Sequence, residues 1–168
     1  MADARLTLVP LTASSIRSLA LRPDQPLSQE GLAGLVWPAD DRRVIRYRSD
    51  ALAADPAAER WLLSAVLDAD GTLVGRIGCH SAPVNGRVEV GYSVRPECRR
   101  RGIATRILST FSQWLADQGV QTVVLSVRPD NEASLRIARR AGFAQVGERQ
   151  DDEDGLELVL ERALTPDV

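Results

Sequence analysis

Val94-Arg95-Pro96-Glu97-Cys98-Arg99-Arg100-Arg101-Gly102-Ile103-Ala104-Thr105 joins an alternating stretch, Arg87 to Val94, to a segment with apolar residues at helical spacing, Gly102 to Gln118. Alternation predicts a strand, and Ile103, Ile107, Leu108, Phe111 and Leu115 form one stripe of a helix. Three arginines and a glycine therefore sit where a helix presents its unpaired N–H groups. Such an end binds phosphate through open donors and a partial positive charge, and glycine lets a ligand come close. A diphosphate is the natural guest.

Downstream, Gly119 ends the helix and Thr122-Val123-Val124-Leu125-Ser126-Val127 is nearly all apolar and β-branched, as in a strand covered on both faces. Strand, helix and strand at this length make a right-handed crossover between parallel strands. A helix from Asn131 to Ala141 stops at Gly142. Phe143–Arg149 and Leu156–Arg162 then read as a hairpin around the acidic loop Asp151-Asp152-Glu153-Asp154-Gly155.

Upstream, Trp61–Leu67 and Thr72–His80 read as strands joined by the turn Asp68-Ala69-Asp70-Gly71, with Arg87–Val94 the third strand of an antiparallel meander. Arg5–Val9 alternates as a strand, Pro10 ends it, and Thr12 can cap a short helix through Leu19. Leu21 to Pro38 is irregular, with one helical turn near Ser28 to Leu35. Asp40 to Ala54 reads as a helix bearing Arg42, Arg43, Arg46 and Arg48, and Asp55-Pro56 ends it. The order predicts a mixed α/β fold, a single domain over 1–168, with a mostly antiparallel sheet containing one parallel pair and flanked by helices.

Composition removes several function classes. A chain of 168 residues can bury a real core, and 26% charged with 44% hydrophobic residues is ordinary for a globular protein. A net charge of −2 argues against general nucleic-acid binding. No apolar run reaches membrane-spanning length, and Met1-Ala2-Asp3-Ala4-Arg5 lacks a secretory apolar region, so no membrane partner and a cytoplasmic location are expected. Cys79 and Cys98 make no disulfide framework, and with the single His80 they make no metal site. All 21 basic residues are arginine, which excludes a phosphate loop ending in Gly-Lys and any Schiff-base lysine.

Arg99-Arg100-Arg101-Gly102-Ile103-Ala104 resembles the Arg/Gln-x-x-Gly-x-Gly/Ala signature of the GNAT superfamily of acyl-CoA N-acyltransferases. Glu89-Val90-Gly91-Tyr92-Ser93-Val94-Arg95-Pro96-Glu97 precedes it on a strand, as in that family. Asn131-Glu132-Ala133-Ser134 followed by Ala141-Gly142-Phe143 resembles the family's second signature at matching spacing. The motifs cover Arg87 to Gly147 and are most similar to the ribosomal-protein N-terminal acetyltransferase group, which also holds small-amine acetyltransferases.

The resemblance implies a GNAT-like fold in which acetyl-CoA, as co-substrate, lies across splayed strands ending at Val94 and Val127. Backbone groups of Tyr92, Ser93 and Val94 would pair with the pantetheine arm like an added strand. Backbone N–H groups from Arg100, Arg101, Gly102, Ile103, Ala104 and Thr105 would hold the diphosphate, while the side chains of Arg99, Arg100 and Arg101 add charge. Asn131 would contact CoA or orient the loop; an ordinary helix N-cap is its plainer role, and both can hold. Ser134 would lie on the face toward the thioester.

Two departures from the family pattern bear on catalysis. The tyrosine that many members carry seven residues after the asparagine is Ala138 here, and the glutamate base that some carry five residues before it is Ser126. Chemistry lowers the demand on both. At pH 7 a lysine-like amine loses about 4.6 kcal/mol to deprotonation, and an α-amine only about 1 kcal/mol. The departing thiol, with a pKa of roughly 8.5, needs only a weak acid. Glu89 is the first candidate base, with an arginine-paired strand glutamate as the alternative reading. Ser134 and Tyr92 are hydroxyls able to relay a proton, and a backbone N–H near Tyr92 to Val94 would hold the oxyanion.

The expected activity is direct acetyl transfer from acetyl-CoA to a primary amine, a peptide N-terminus or a small molecule. The alternative is a non-catalytic acyl-CoA-binding module. Arg42, Arg43, Arg46 and Arg48 point to an acidic or carboxylate-bearing acceptor if that helix covers the acceptor side, and to a solvated face otherwise. A monomer or homodimer without metal is expected.

Overall fold

The computed structural model describes residues 5–164; Met1-Ala2-Asp3-Ala4, read above for a leader, lie outside the described residues. The fold is mixed α/β. The chain divides into two compact units, Met1–Ala82 and Pro83–Val168.

In the first unit, β1 (Thr7–Pro10), β2 (Ser64–Leu67) and β3 (Leu73–Cys79) pair antiparallel in the order β1-β2-β3. Helix α1 (Ala13–Leu21) starts where Thr12 predicted: its hydroxyl accepts from the Ser15 N–H at 3.2 Å. The same turn is held by Gln29, whose Oε1 accepts from Thr12 N at 2.9 Å and from Ser15 Oγ at 2.7 Å. Thr12→Ala removes the cap and is expected to cost about 1 kcal/mol, read as a lower midpoint in urea with an unchanged slope.

Helix α2 (Arg42–Ala54) follows a short 3₁₀ turn and buries Ile45, Arg48 and Leu52. Arg48 therefore leaves the basic face expected of this helix, because its position falls on the inward stripe at helical spacing. The outward arginines are Arg42, Arg43 and Arg46. Between α1 and that 3₁₀ turn the chain makes turns but no helix, so the helical turn expected at Ser28 to Leu35 is reduced to single turn bonds such as Leu32 N to Gln29 O.

The strand expected to begin at Trp61 also starts later. Asp55 accepts from Ala57 N at 3.1 Å and Pro56 opens a 3₁₀ turn, which runs into α3 (Glu59–Leu62). Glu59 Oε1 then accepts from Ala13 N at 2.7 Å, tying this helix to the start of α1. Strong strand formers in Trp61-Leu62 lose to that local start signal and to burial, Leu62 being fully buried. Gly78 is required by contact: a Cβ there would lie 2.0 Å from the Leu62 carbonyl oxygen.

The second unit holds β4 (Arg87–Val94), α4 (Ile103–Asp117), β5 (Thr122–Val127), α5 (Glu132–Arg140), β6 (Ala144–Asp151) and β7 (Gly155–Ala163). Its strand order is β4-β5-β7-β6, with β4–β5 parallel and the other two pairings antiparallel. Ile107, Leu108, Phe111 and Leu115 form the buried face of α4, as the stripe predicts, while Ile103 is only half-buried. Among the described residues no helix is long and apolar enough to cross a membrane.

Candidate functional site

The parallel ladder between β4 and β5 begins at Arg87↔Thr122 and ends at Glu89↔Val124, although β4 continues to Val94 and β5 to Val127. β5 keeps its other edge paired with β7 through Val127. Past Glu89 the two strands therefore diverge, and the edge of β4 from Val90 to Val94 faces a gap. Main-chain donors and acceptors along such an edge are suited to an extended, amide-bearing guest.

Two polar atoms of these strands lack partners. The Tyr92 hydroxyl and Ser126 Oγ are buried and make no hydrogen bond. Buried groups of this kind are uncommon, and a bound water or a ligand is one way their bonding is completed. Ser134, in the first turn of α5, is the neighbour of Tyr92. Burial raises the phenol's pKa and the Ser134 side chain lowers it by less, so the phenol stays protonated beyond the range of an exposed tyrosine. The two hydroxyls are close enough to influence each other without a bond of good geometry, which leaves the Tyr92 proton available.

Asn131 caps α5 by accepting from Ser134 N at 3.1 Å. The plainer of its two expected roles is present, and its side-chain amide donors remain for a ligand. Ala138 is fully buried in α5, so the position of the family tyrosine has no room for a phenol without repacking.

The loop after β4 has a backbone suited to an anion. A 3₁₀ turn over Pro96–Cys98 is followed by Arg100 at φ 60° and Gly102 at φ 71°. Left-handed backbone is strained for arginine and easy for glycine, and alternation of this kind turns successive N–H groups toward one point. Gly102 is the N-cap of α4 and offers no side chain; nothing lies within 4 Å of where its Cβ would be. Among the described residues no side chain accepts from the N–H groups of Ile103, Ala104 or Thr105. The arginine side chains divide in role: Arg99 Nε donates back to the Val94 carbonyl at 3.1 Å and fixes the strand end. Arg100 and Arg101 point into solvent.

Glu89 lies on the opposite face of β4 from Tyr92, since side chains alternate along a strand. Both of its oxygens accept from Arg149, at 3.0 and 2.9 Å, and Arg149 also donates to Glu157 at 2.8 Å. Glu89 and Glu157 are largely covered, with 19% and 12% of their side chains exposed. The two carboxylates push the Arg149 guanidinium pKa further up. Arg87 pairs with Glu161 in the same region. Arg149 and Glu157 were not singled out from the sequence. Their signal was weak: they oppose each other across β6–β7, but only sheet order brings that hairpin to Glu89.

The cysteines stand apart from this chemistry. Neither is in a disulfide, and both are buried. Burial pushes the Cys79 thiol up to about 12, with Arg48 opposing in part, which keeps it protonated and inert. His80 is exposed just past the end of β3.

A family model described as an acetyltransferase (GNAT) domain matches residues 5–144. The chain is 36% identical over 77 residues to an uncharacterized N-acetyltransferase, YoaA, of Bacillus subtilis, covering 45% of this chain and 44% of that one. It is 30% identical over 172 residues to a mycothiol acetyltransferase of Tsukamurella paurometabola, covering 84% of this chain and 59% of that protein. Its curated relatives are thus longer than the part of them it spans, which is about a third to three fifths of their length. Among solved structures, the microcin C7 self-immunity acetyltransferase MccE in complex with acetyl-CoA and AMP superposes with a TM-score of 0.65 at 18% identity, over 97% of this chain and 94% of that one. With one family model across most of the chain, the diverging parallel strands and the capless helix start have a common origin: the chain belongs to the GNAT acetyltransferase family.

Proposed function

We propose that this chain transfers an acetyl group directly from acetyl-CoA to a primary amine, either a peptide N-terminal α-amine or a small-molecule amine. The observation that carries this reading is the end of the β4–β5 ladder at Glu89↔Val124, with the unpartnered Tyr92 and Ser126 oxygens beyond it. The acyl donor's amide-bearing arm would lie along Tyr92, Ser93 and Val94, and its diphosphate on the N–H groups from Arg100 to Thr105. Asn131 would offer its amide to the same guest. The two unpaired cysteines suit the reducing cytoplasm as the place of action.

In this reading the amine attacks the thioester carbon, the new oxyanion is held by a β4 backbone N–H, and the carbon–sulfur bond then breaks. The proton lost by the amine passes to Glu89 through water. Arg149 occupies two of the roughly four lone-pair sites of that carboxylate, which makes Glu89 a weak base and fixes its position. A weak base is enough for an amine with a pKa of about 7.8. The leaving thiolate takes its proton from the hydroxyl pair of Tyr92 and Ser134.

Glu89→Gln keeps an oxygen for Arg149 and removes the base. The variant is expected to lower kcat/KM for an α-amine acceptor about tenfold at pH 7. The deficit should shrink above the amine's own pKa, where the amine is neutral without help. A deficit constant with pH would remove Glu89 from this role.

The fully buried Ala138, in place of a proton donor, favours a second reading as a non-catalytic acyl-CoA-binding module. Thiol release from acetyl-CoA against a panel of peptides and small amines, with binding measured separately by calorimetry, separates the two. Amine-dependent release supports the transferase. Tight binding with no release on any amine supports the module.

A further inference from the structure

We infer that the first unit carries a binding site for a small carboxylate with an apolar, ring-sized body, in a cavity between α1 and α2 walled by Leu19, Pro23, Trp37 and Ile45 and edged by Arg42 and Arg46. The cavity holds about 190 Å³. Cavities near 150 Å³ accept a benzene-sized guest, so one ring or a branched aliphatic group fits and a nucleotide does not.

Every polar side chain named in the lining is a donor. Trp37 is 4% exposed, and its indole Nε1 is buried with no acceptor. What Trp37 gives the cavity is an aromatic wall. Arg46 makes no ion pair or hydrogen bond among the described residues. Arg42 already holds a carboxylate: Nη2 lies 2.7 Å from Asp24 Oδ1. That pair is highly exposed, with side-chain exposures of 56% and 82%, so solvent screens it and a guest can displace it. It also shows the kind of group this rim takes, since the arginine fork matches a carboxylate. Two cations at the rim of an apolar pocket disfavour a cationic guest of the same shape.

Only part of the basic helix lines this cavity. Arg43 is committed to Tyr47, with its Nε 3.4 Å from the phenol oxygen and its guanidinium 5.5 Å from the ring centre, and it does not line the cavity. Arg48 is turned inward. The site thus rests on Arg46, Arg42 and Trp37, and it stands whether or not the acetyl-transfer reading holds.

The test is calorimetric titration of the full chain, without CoA, with phenylacetate, its cationic counterpart benzylamine and the neutral benzyl alcohol. Phenylacetate is expected to bind with a Kd in the millimolar range or below and benzylamine at least about tenfold more weakly. Arg46→Gln should weaken phenylacetate about tenfold, Trp37→Phe about fivefold, and the control Arg43→Gln less than twofold. Arg46 is exposed, so its replacement leaves the fold intact and keeps the test decisive should Trp37→Phe lower stability. Equal affinity for the three probes, no binding of phenylacetate, or equal losses in Arg46→Gln and Arg43→Gln would each overturn the site.

Discussion

Tyr92→Phe is expected to lower kcat about thirtyfold while the Kd for acetyl-CoA changes by less than about twofold. Alternation on β4 places Tyr92 on the face opposite Glu89, next to Ser134 of α5. Burial raises the phenol's pKa more than Ser134 lowers it. The acid form of a phenol is neutral, so a raised pKa retains the transferable proton through neutral pH. The wild-type rate should hold until pH passes the ordinary phenol value of about 10, and the variant should lose that alkaline limb along with its rate. Ser134→Ala, removing only the neighbour, is expected to lower kcat about threefold. Thermal melting separates catalysis from structure. The Tyr92 oxygen makes no hydrogen bond in the fold, so removing it should leave Tm unchanged or raise it. A fall in kcat matched by a fall in Tm would assign Tyr92 to packing instead.

Gly102→Val is the second large effect, with acetyl-CoA affinity expected to fall about thirtyfold, or about 2 kcal/mol. Gly102 sits at φ 71° with open space where a Cβ would be, so the damage is conformational. A β-branched residue resists the left-handed region, and relaxing it turns the first N–H groups of α4 away from their common point. Arg100→Gly makes the contrast. Arg100 holds a similar φ of 60°, and glycine there relieves strain. That variant should stay within about threefold of the wild type, because backbone donors hold the diphosphate and side-chain charge only assists. If Arg100→Gly proved as damaging as Gly102→Val, the arginine side chain would be the main anchor.

The second unit was legible in the sequence because its signals are local and mutually consistent. The Arg87–Val94 alternation, the α4 stripe, the β-branched run of β5 and Asn131 as a cap each fix one element, and each lies within a residue or two of its expected bounds. The first unit was less so. Trp61-Leu62 carries strand-forming side chains but folds as helix, because Asp55-Pro56 starts a turn and Glu59 is held at Ala13 N. The Leu21 to Pro38 segment places Trp37 in the core without any period to announce it. Glu89 is the instructive case at the site. The sequence offered both a base and an arginine-paired glutamate, and the partner, Arg149, is distant in the chain and close only through the order β4-β5-β7-β6. Sequence periodicity locates a residue on a strand face; it does not say which distant strand supplies its counter-charge.

Direct transfer without an acyl-enzyme is tested most directly by single-turnover quench flow with acetyl-labelled CoA and an α-amine acceptor. The label is expected to pass from thioester to amine in one phase, with no protein-bound acetyl group at any time, since Cys79 is held protonated by burial and Cys98 is also buried. Label trapped covalently on the chain before the amine is acetylated, or an unreacted thioester beside a saturating amine, would contradict it.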